Sequence, residues 1–217
     1  MNQKIIPALL PSSLAELRRD ITSLAAVHEL QIDLVDGEYA PFISWPYDPS
    51  GDITEIADDI SAHSVEVDLM VHEQLAMASA CASIGVQMVI FHVPGVIVQE
   101  VAGFADAHPD ISIAVAFTSD VSLEQFEQYA EFVDMVQLMG IAKIGAQGMP
   151  FDDRVIDRIK TIRSRYPRLM ISVDGSMNET TIPQVRDAGA DRFVVGSALL
   201  QASDRMAQFS ALSELAG

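Results

Sequence analysis

Apolar and polar positions along this chain follow two periods. Short runs with period two, rich in Val, Ile, Leu and Met, fall at residues 5–9, 30–35, 65–71, 86–93, 111–117, 135–139, 170–174 and 193–195, and each reads as a β-strand. Between them lie stretches with apolar residues three and four apart, the spacing of a helix that buries one face. Ser13-Leu14-Ala15-Glu16 has the pattern of a capping box ahead of Leu14, Leu17, Ile21 and Leu24. Phe126, Tyr129, Ala130 and Val133 form a second stripe, and Val155, Ile159 and Ile162 a third. Asn178 is placed as the N-cap of a helix that ends near Gly189. Strict alternation of strand and helix predicts a parallel sheet covered by helices. Eight strands is the number that closes a barrel.

Several strands carry polar residues on one parity alone. Leu30, Ile32 and Leu34 share one face of their strand while Gln31, Asp33 and Val35 take the other, and Ile171 and Val173 oppose Ser172 and Asp174. Glu66, Asp68, His92 and Gln137 repeat the pattern. An open doubly wound sheet would bury both faces of its central strands and read as continuous apolar runs. A barrel, whose interior can turn polar toward a functional mouth, accounts for the pattern better. The expected fold is an α/β TIM (β/α)8 barrel built from residues 1–217 as a single domain, with no low-complexity linker and a length that suits the ~200–250 residues of such barrels. Asp33, Asp68, His92 and Asp174 all fall at C-terminal strand ends, where these barrels carry their chemistry.

Thirteen basic residues against thirty-one acidic ones give a formal charge of -18, which argues against nucleic acid and anionic membranes as partners. No run approaches the ~20 apolar residues of a membrane span, and the N-terminus lacks a basic stretch with an apolar signal core, so a soluble cytoplasmic protein is expected. The single cysteine, Cys81, excludes an internal disulfide and a multi-cysteine zinc site; it reads as a small buried helix residue. With three lysines in the chain, an anionic substrate would be held largely by backbone amides in glycine turns. Three such turns follow the last strands: Gly145 and Gly148 after the sixth, Gly175-Ser176 after the seventh and Gly196-Ser197 after the eighth. Loops after the seventh and eighth strands are the usual phosphate site of a TIM barrel.

Asp33 and Asp174 are the candidates for a general acid–base pair, since a base and an acid on opposite faces of a carbon next to a carbonyl are the minimum for epimerisation. The plainer alternative is a turn-capping role of the kind expected of Asp36 before Gly37. Asp68 also faces inward, and three converging carboxylates repel unless a cation sits among them; its alternative is a pairing with Lys4 or a backbone amide. His92 reads as a ligand, a substrate contact or a hydrogen-bonded interior histidine.

The chain resembles the ribulose-phosphate 3-epimerase family nearly end to end. Ile6-Pro7-Ala8-Leu9-Leu10, Ile32-Asp33-Leu34-Val35-Asp36-Gly37 with Pro41, Asp68-Leu69-Met70-Val71, Phe91-His92, Val173-Asp174-Gly175-Ser176-Met177-Asn178 and Val195-Gly196-Ser197-Ala198 each match a family segment. The resemblance implies a ribulose-phosphate-binding TIM barrel that interconverts D-ribulose 5-phosphate and D-xylulose 5-phosphate, or a related ketose phosphate, with Asp33 and Asp174 as the acid–base pair. It implies a phosphosugar partner, contacts to it from His92, Gly145, Gly148, Gly175, Ser176, Gly196 and Ser197, and a homo-oligomer. It also implies a divalent metal held by two aspartates and two histidines. The aspartates are present as Asp33 and Asp174, but the histidine positions read Gln31 and Asp68, and Ala8 stands where a substrate-contacting serine is usual. A ligand set of Asp33, Asp68, Asp174 and Gln31 favours manganese, magnesium or cobalt over zinc. The loop after the sixth strand, Gly140-Ile141-Ala142-Lys143-Ile144-Gly145, departs from the family as well. Two alternatives stay open: a phosphosugar-binding barrel without turnover, and an epimerase or lyase for another sugar phosphate. Glu66-Val67-Asp68-Leu69-Met70-Val71 lacks the strand lysine of the related decarboxylases. Residues 42–52, with Trp45 and Tyr47, read as a lid or an interface.

Overall fold

The computed structural model describes residues 3–144 and 148–217. Eight parallel strands, β1 (Ile5–Leu9), β2 (Glu29–Val35), β3 (Ser64–Met70), β4 (Met88–His92), β5 (Ser112–Phe117), β6 (Met135–Met139), β7 (Met170–Asp174) and β8 (Arg192–Val195), pair in sequence order and close into a barrel through β1 and β8. The helices around them are α1 (Leu14–Ser23), α2 (Ala57–Ile60), α3 (Gln74–Ser83), α4 (Val98–Ala107), α5 (Leu123–Glu127), α6 (Arg154–Arg165), α7 (Thr181–Ala188), α8 (Ser197–Leu200) and α9 (Arg205–Ala216). No helix among the described residues is long and apolar enough to cross a membrane.

Strand parity divides the core. Leu30, Ile32, Leu34, Ile171 and Val173 belong to the large apolar layer between sheet and helices, together with Leu17, Ile21, Val155, Ile159 and Ile162. The opposite parity fills the barrel in smaller groups: Ile90, Ala114, Ala116, Met135 and Met139; Ile6, Ala8 and Val194; and Val35 and Met70, which Ala40 joins from the segment after β2. Cys81 is buried on α3, and its burial raises the thiol pKa to about 12.

Three local expectations are adjusted. At α1, Ser13 Oγ accepts from Glu16 N at 3.2 Å, but the Glu16 carboxylate answers to Ser12 N at 2.8 Å, one residue before the cap. The stripe from Phe126 to Val133 is helical through Glu127 alone; Tyr129 N and Phe132 N then bond three residues back, and the Tyr129 hydroxyl donates to Val96 O at 2.7 Å. Tight turns carry the rest of that stripe inward. Asn178 caps α7 from outside the helix, its Oδ1 accepting from Thr180 N at 2.8 Å and Thr181 N at 3.3 Å. The helix ends where expected, at Gly189 with φ of 114°.

Candidate active site

Parallel pairing aligns Asp33 of β2 with Asp68 of β3, and Asp174 of β7 with Met139 of β6, so inward parity delivers all three carboxylates to the barrel's C-terminal half. One oxygen from each of Asp33, Asp68 and Asp174 lies within 4.8 Å of the others. Asp68 is fully buried, whereas Asp33 and Asp174 are partly exposed. Two buried glutamines tie the group together. Gln31 Nε2 donates to Asp33 Oδ1 at 2.8 Å and Asp174 Oδ2 at 3.2 Å; Gln137 Nε2 donates to Asp68 Oδ2 at 3.0 Å and Asp174 Oδ2 at 3.4 Å. His92 Nε2 meets Asp68 Oδ1 at 2.5 Å. Gln74 fixes the His92 backbone from both sides, accepting from its N at 2.7 Å and donating to its O at 3.1 Å. His92 is therefore an interior histidine engaged with Asp68, and Lys4 has no part in that pairing; its ammonium reaches Ala216 O at 3.3 Å near the C-terminus.

Crowding of buried acids shows in their ionisation. Enclosure in the barrel, then the charges of Asp174 and Asp68, hold the Asp33 carboxyl well above the ordinary range, against the hydrogen bond from Gln31. Burial and then Asp68 push Asp174 up to about 7, opposed by Gln31 and His92. Asp36 lies apart as a turn cap, accepting from Glu38 N and Tyr39 N at 2.8 and 2.9 Å.

Asp33 and Asp174 open into a cavity of about 260 Å³. Its wall also includes Gly148, Gly175, Ser176, Gly196 and Ser197, four of them from the turns after β7 and β8. Gly145 lies outside the described residues. Gly175 has φ of 100° and Ser176 φ of 58°; this left-handed pair is held by Asn178 Nδ2 and Thr181 Oγ1, which donate to Ser176 O at 2.9 and 2.7 Å. Methionines 70, 139, 149 and 177 supply much of the apolar wall. Sequence reading passed over them, although Met70 and Met139 share the inward parity of Asp68 and Gln137. A larger cavity of about 1060 Å³ opens at the other end of the barrel, around Lys4, Glu29, Glu66, Met170 and Arg192. The converging carboxylates, not volume, mark the C-terminal cavity as the candidate site.

The side chains around the carboxylates suit a hard cation. Besides the three acids stand two amides, and the buried Oε1 atoms of Gln31 and Gln137 have no hydrogen-bond partner among the described residues. The three acids offer oxygen atoms within 4.8 Å of one another, donors of the kind a hard divalent cation takes, while the amides turn their NH2 groups to the same carboxylates. Among the described residues no histidine joins the carboxylate cluster as a candidate ligand: positions 31 and 68 are Gln and Asp, and His92 Nε2 is engaged with Asp68.

Comparison with known proteins agrees with this architecture. Similar solved barrels include a 3-hexulose-6-phosphate synthase, 19% identical with a TM-score of 0.71 over 99% of this chain and 100% of its own. Another is KGPDC from Streptococcus mutans, 13% identical with a TM-score of 0.73 over 100% and 98%; at these identities the likeness is one of fold. In sequence, the ribulose-phosphate 3-epimerase of Helicobacter pylori (strain ATCC 700392 / 26695) is 26% identical over 93% of both chains, and that of Bacillus subtilis (strain 168) 26% identical over 99% of this chain and 98% of its own. The profile of the ribulose-phosphate 3 epimerase family matches residues 4–200, and the chain belongs to that family.

Proposed function

We propose that this barrel is an isomerase that epimerises C3 of a ketose phosphate, D-ribulose 5-phosphate to D-xylulose 5-phosphate and back, with Asp33 and Asp174 exchanging the proton. One observation carries the reading: two acids of raised pKa share one small cavity with the glycine–serine turns after β7 and β8. Epimerisation needs one carboxylate ionised to take the C3 proton and one carboxylic acid to return a proton to the opposite face. Burial first, and then the charges of neighbouring carboxylates, raise both acids and favour the protonated form needed for the acid role. Gln31, bonded to both aspartates, positions them relative to each other. Backbone N–H groups around Gly175, Ser176, Gly196 and Ser197 would receive the phosphate. No lysine or arginine is among the described residues that line the cavity, which disfavours Schiff-base and lysine-assisted decarboxylation chemistry there.

Asp33, Asp68, Asp174 and Gln31 are the residues that would hold a manganese or magnesium ion, which would supply positive charge to offset negative charge developing on the substrate. The test is C3 proton exchange of D-ribulose 5-phosphate in deuterated water, with chelator-treated protein and metals added back. Asp33→Asn and Asp174→Asn are each expected to slow exchange ~10²–10⁴-fold, the usual contribution of a general acid or base. Measurable binding of the sugar phosphate with no exchange under any metal would overturn the epimerase reading in favour of a binding barrel.

A further inference from the structure

Gln137 is a costly residue for the middle of a barrel. It is fully buried on β6, where its register partner on β5 is Ala116 and on β7 Ser172. An amide in such a place is unfavourable unless its polar atoms are used. Its length is used to reach two acids at once, Asp68 of β3 and Asp174 of β7. Gln31 does the same from β2 for Asp33 and Asp174. Each amide thus lies between a pair of carboxylates with its NH2 toward them, and each leaves a buried Oε1 without a partner among the described residues.

The two ends of a primary amide have nearly the same shape and opposite polarity. With NH2 inward, the amide serves the carboxylates directly. Turned by half about its last side-chain torsion, it puts a carbonyl oxygen toward the same place, which is unfavourable beside carboxylates alone and favourable beside a cation. We propose that Gln137 is a cation ligand of this barrel, so that three carboxylates and the amide oxygens of Gln31 and Gln137 form a five-residue oxygen cage for a hard divalent ion. The inference rests on the cation-assisted reading of the site and adds a ligand from β6, a strand from which the resemblance implies none.

Binding of manganese to the full chain, followed by the electron paramagnetic resonance of the free ion and by calorimetry, tests the cage without reference to turnover. Gln137→Leu, of similar size but without oxygen, is expected to weaken manganese binding at least tenfold. Gln137→Glu is expected to bind at least as tightly as the natural chain, because a fourth carboxylate facing a cation gains attraction. A glutamine that serves the fold alone predicts the opposite for Gln137→Glu, since another acid in that cluster would add repulsion and no affinity. Circular dichroism identifies a variant that has not folded, and the other variant then decides. Unchanged affinity in Gln137→Leu would overturn the role of Gln137 while leaving the epimerase reading untouched. Proton exchange by a chain that binds no manganese would overturn the cage and keep the epimerase. Manganese binding with the expected order of variants, but no exchange, would keep the cage and remove the epimerase.

Discussion

Asp33 and Asp36 stand three residues apart and carry the same side chain into opposite electrostatic settings. Asp33 is enclosed with two other acids and is held well above the ordinary carboxylate range. Asp36 also loses water to partial burial, but backbone N–H groups of His72, Tyr39 and Glu38 outweigh that and draw its pKa down. Its folded pKa therefore lies below the unfolded ~3.9, and the stabilisation is full above that value and lost as pH falls through the lowered one. Asp36→Asn is expected to cost about 1 kcal/mol at pH 7, a charge-assisted bond discounted for solvent screening. Urea unfolding should show the variant and the natural chain converging in acid; an equal deficit at both pH values would remove the charge from the explanation. The sequence made both residues visible, Asp33 by strand parity and Asp36 by the glycine that follows it. Their partners were not legible in the same way. His72 N is 36 residues from Asp36, and His92, 24 residues from Asp68, is placed only by the turn of the barrel.

Among elements, the contact between the ends of β6 and β7 governs the cavity wall. Gly140 N donates to Asp174 O at 2.6 Å, and a Cβ on Gly140 would lie 2.5 Å from Gly175 O. Two backbones meet there with no flexible side chain to yield. Gly140→Ala must push the Gly175–Ser176 turn away from its position, so the expected result is an increase in KM for the sugar phosphate together with a lower Tm. Gly103 on α4 supplies the comparison: no atom lies within 4 Å of a Cβ there, and Gly103→Ala should stabilise by about 0.5–1 kcal/mol through helix propensity with KM unchanged. Equal behaviour of the two variants would show that the turn does not shape the site. Strands were the most legible elements, because period two separates inner from outer residues whatever the loop lengths. The α5 stripe was less so, since turns bonded three residues back bury Tyr129 as a helix would, and periodicity records burial rather than backbone bonding.

For the whole molecule, eight strands counted along the sequence foretold closure, and the polar parity together with strand position foretold which end would gather Asp33, Asp68 and Asp174. Parity alone did not separate the two polar layers. Glu66 has the inward parity of Asp68, yet it belongs to the opposite end of the barrel, where Arg192 of β8 donates to Glu66 of β3 at 2.7 Å and lies 3.3 Å from Glu29 of β2. Both Arg192 and Glu66 are buried; burial keeps the Glu66 carboxyl above its usual range even with the guanidinium beside it. The pair ties strands on different sides of the barrel, so its removal is a test of the closed architecture rather than of the site. Arg192→Met leaves Glu66 buried without a counter-charge and is expected to cost about 3–5 kcal/mol, as is usual when one partner of a buried pair is removed. Glu66→Leu combined with Arg192→Met removes both charges and should recover most of that loss, because two desolvation costs vanish with the attraction. A double-mutant cycle by chemical denaturation measures the coupling. Manganese binding and proton exchange, both proposed for the other end, should be unchanged in the double variant at temperatures where it is folded. Additive losses would instead mean that the ion pair contributes independently at each residue and does not hold the barrel's base as a unit.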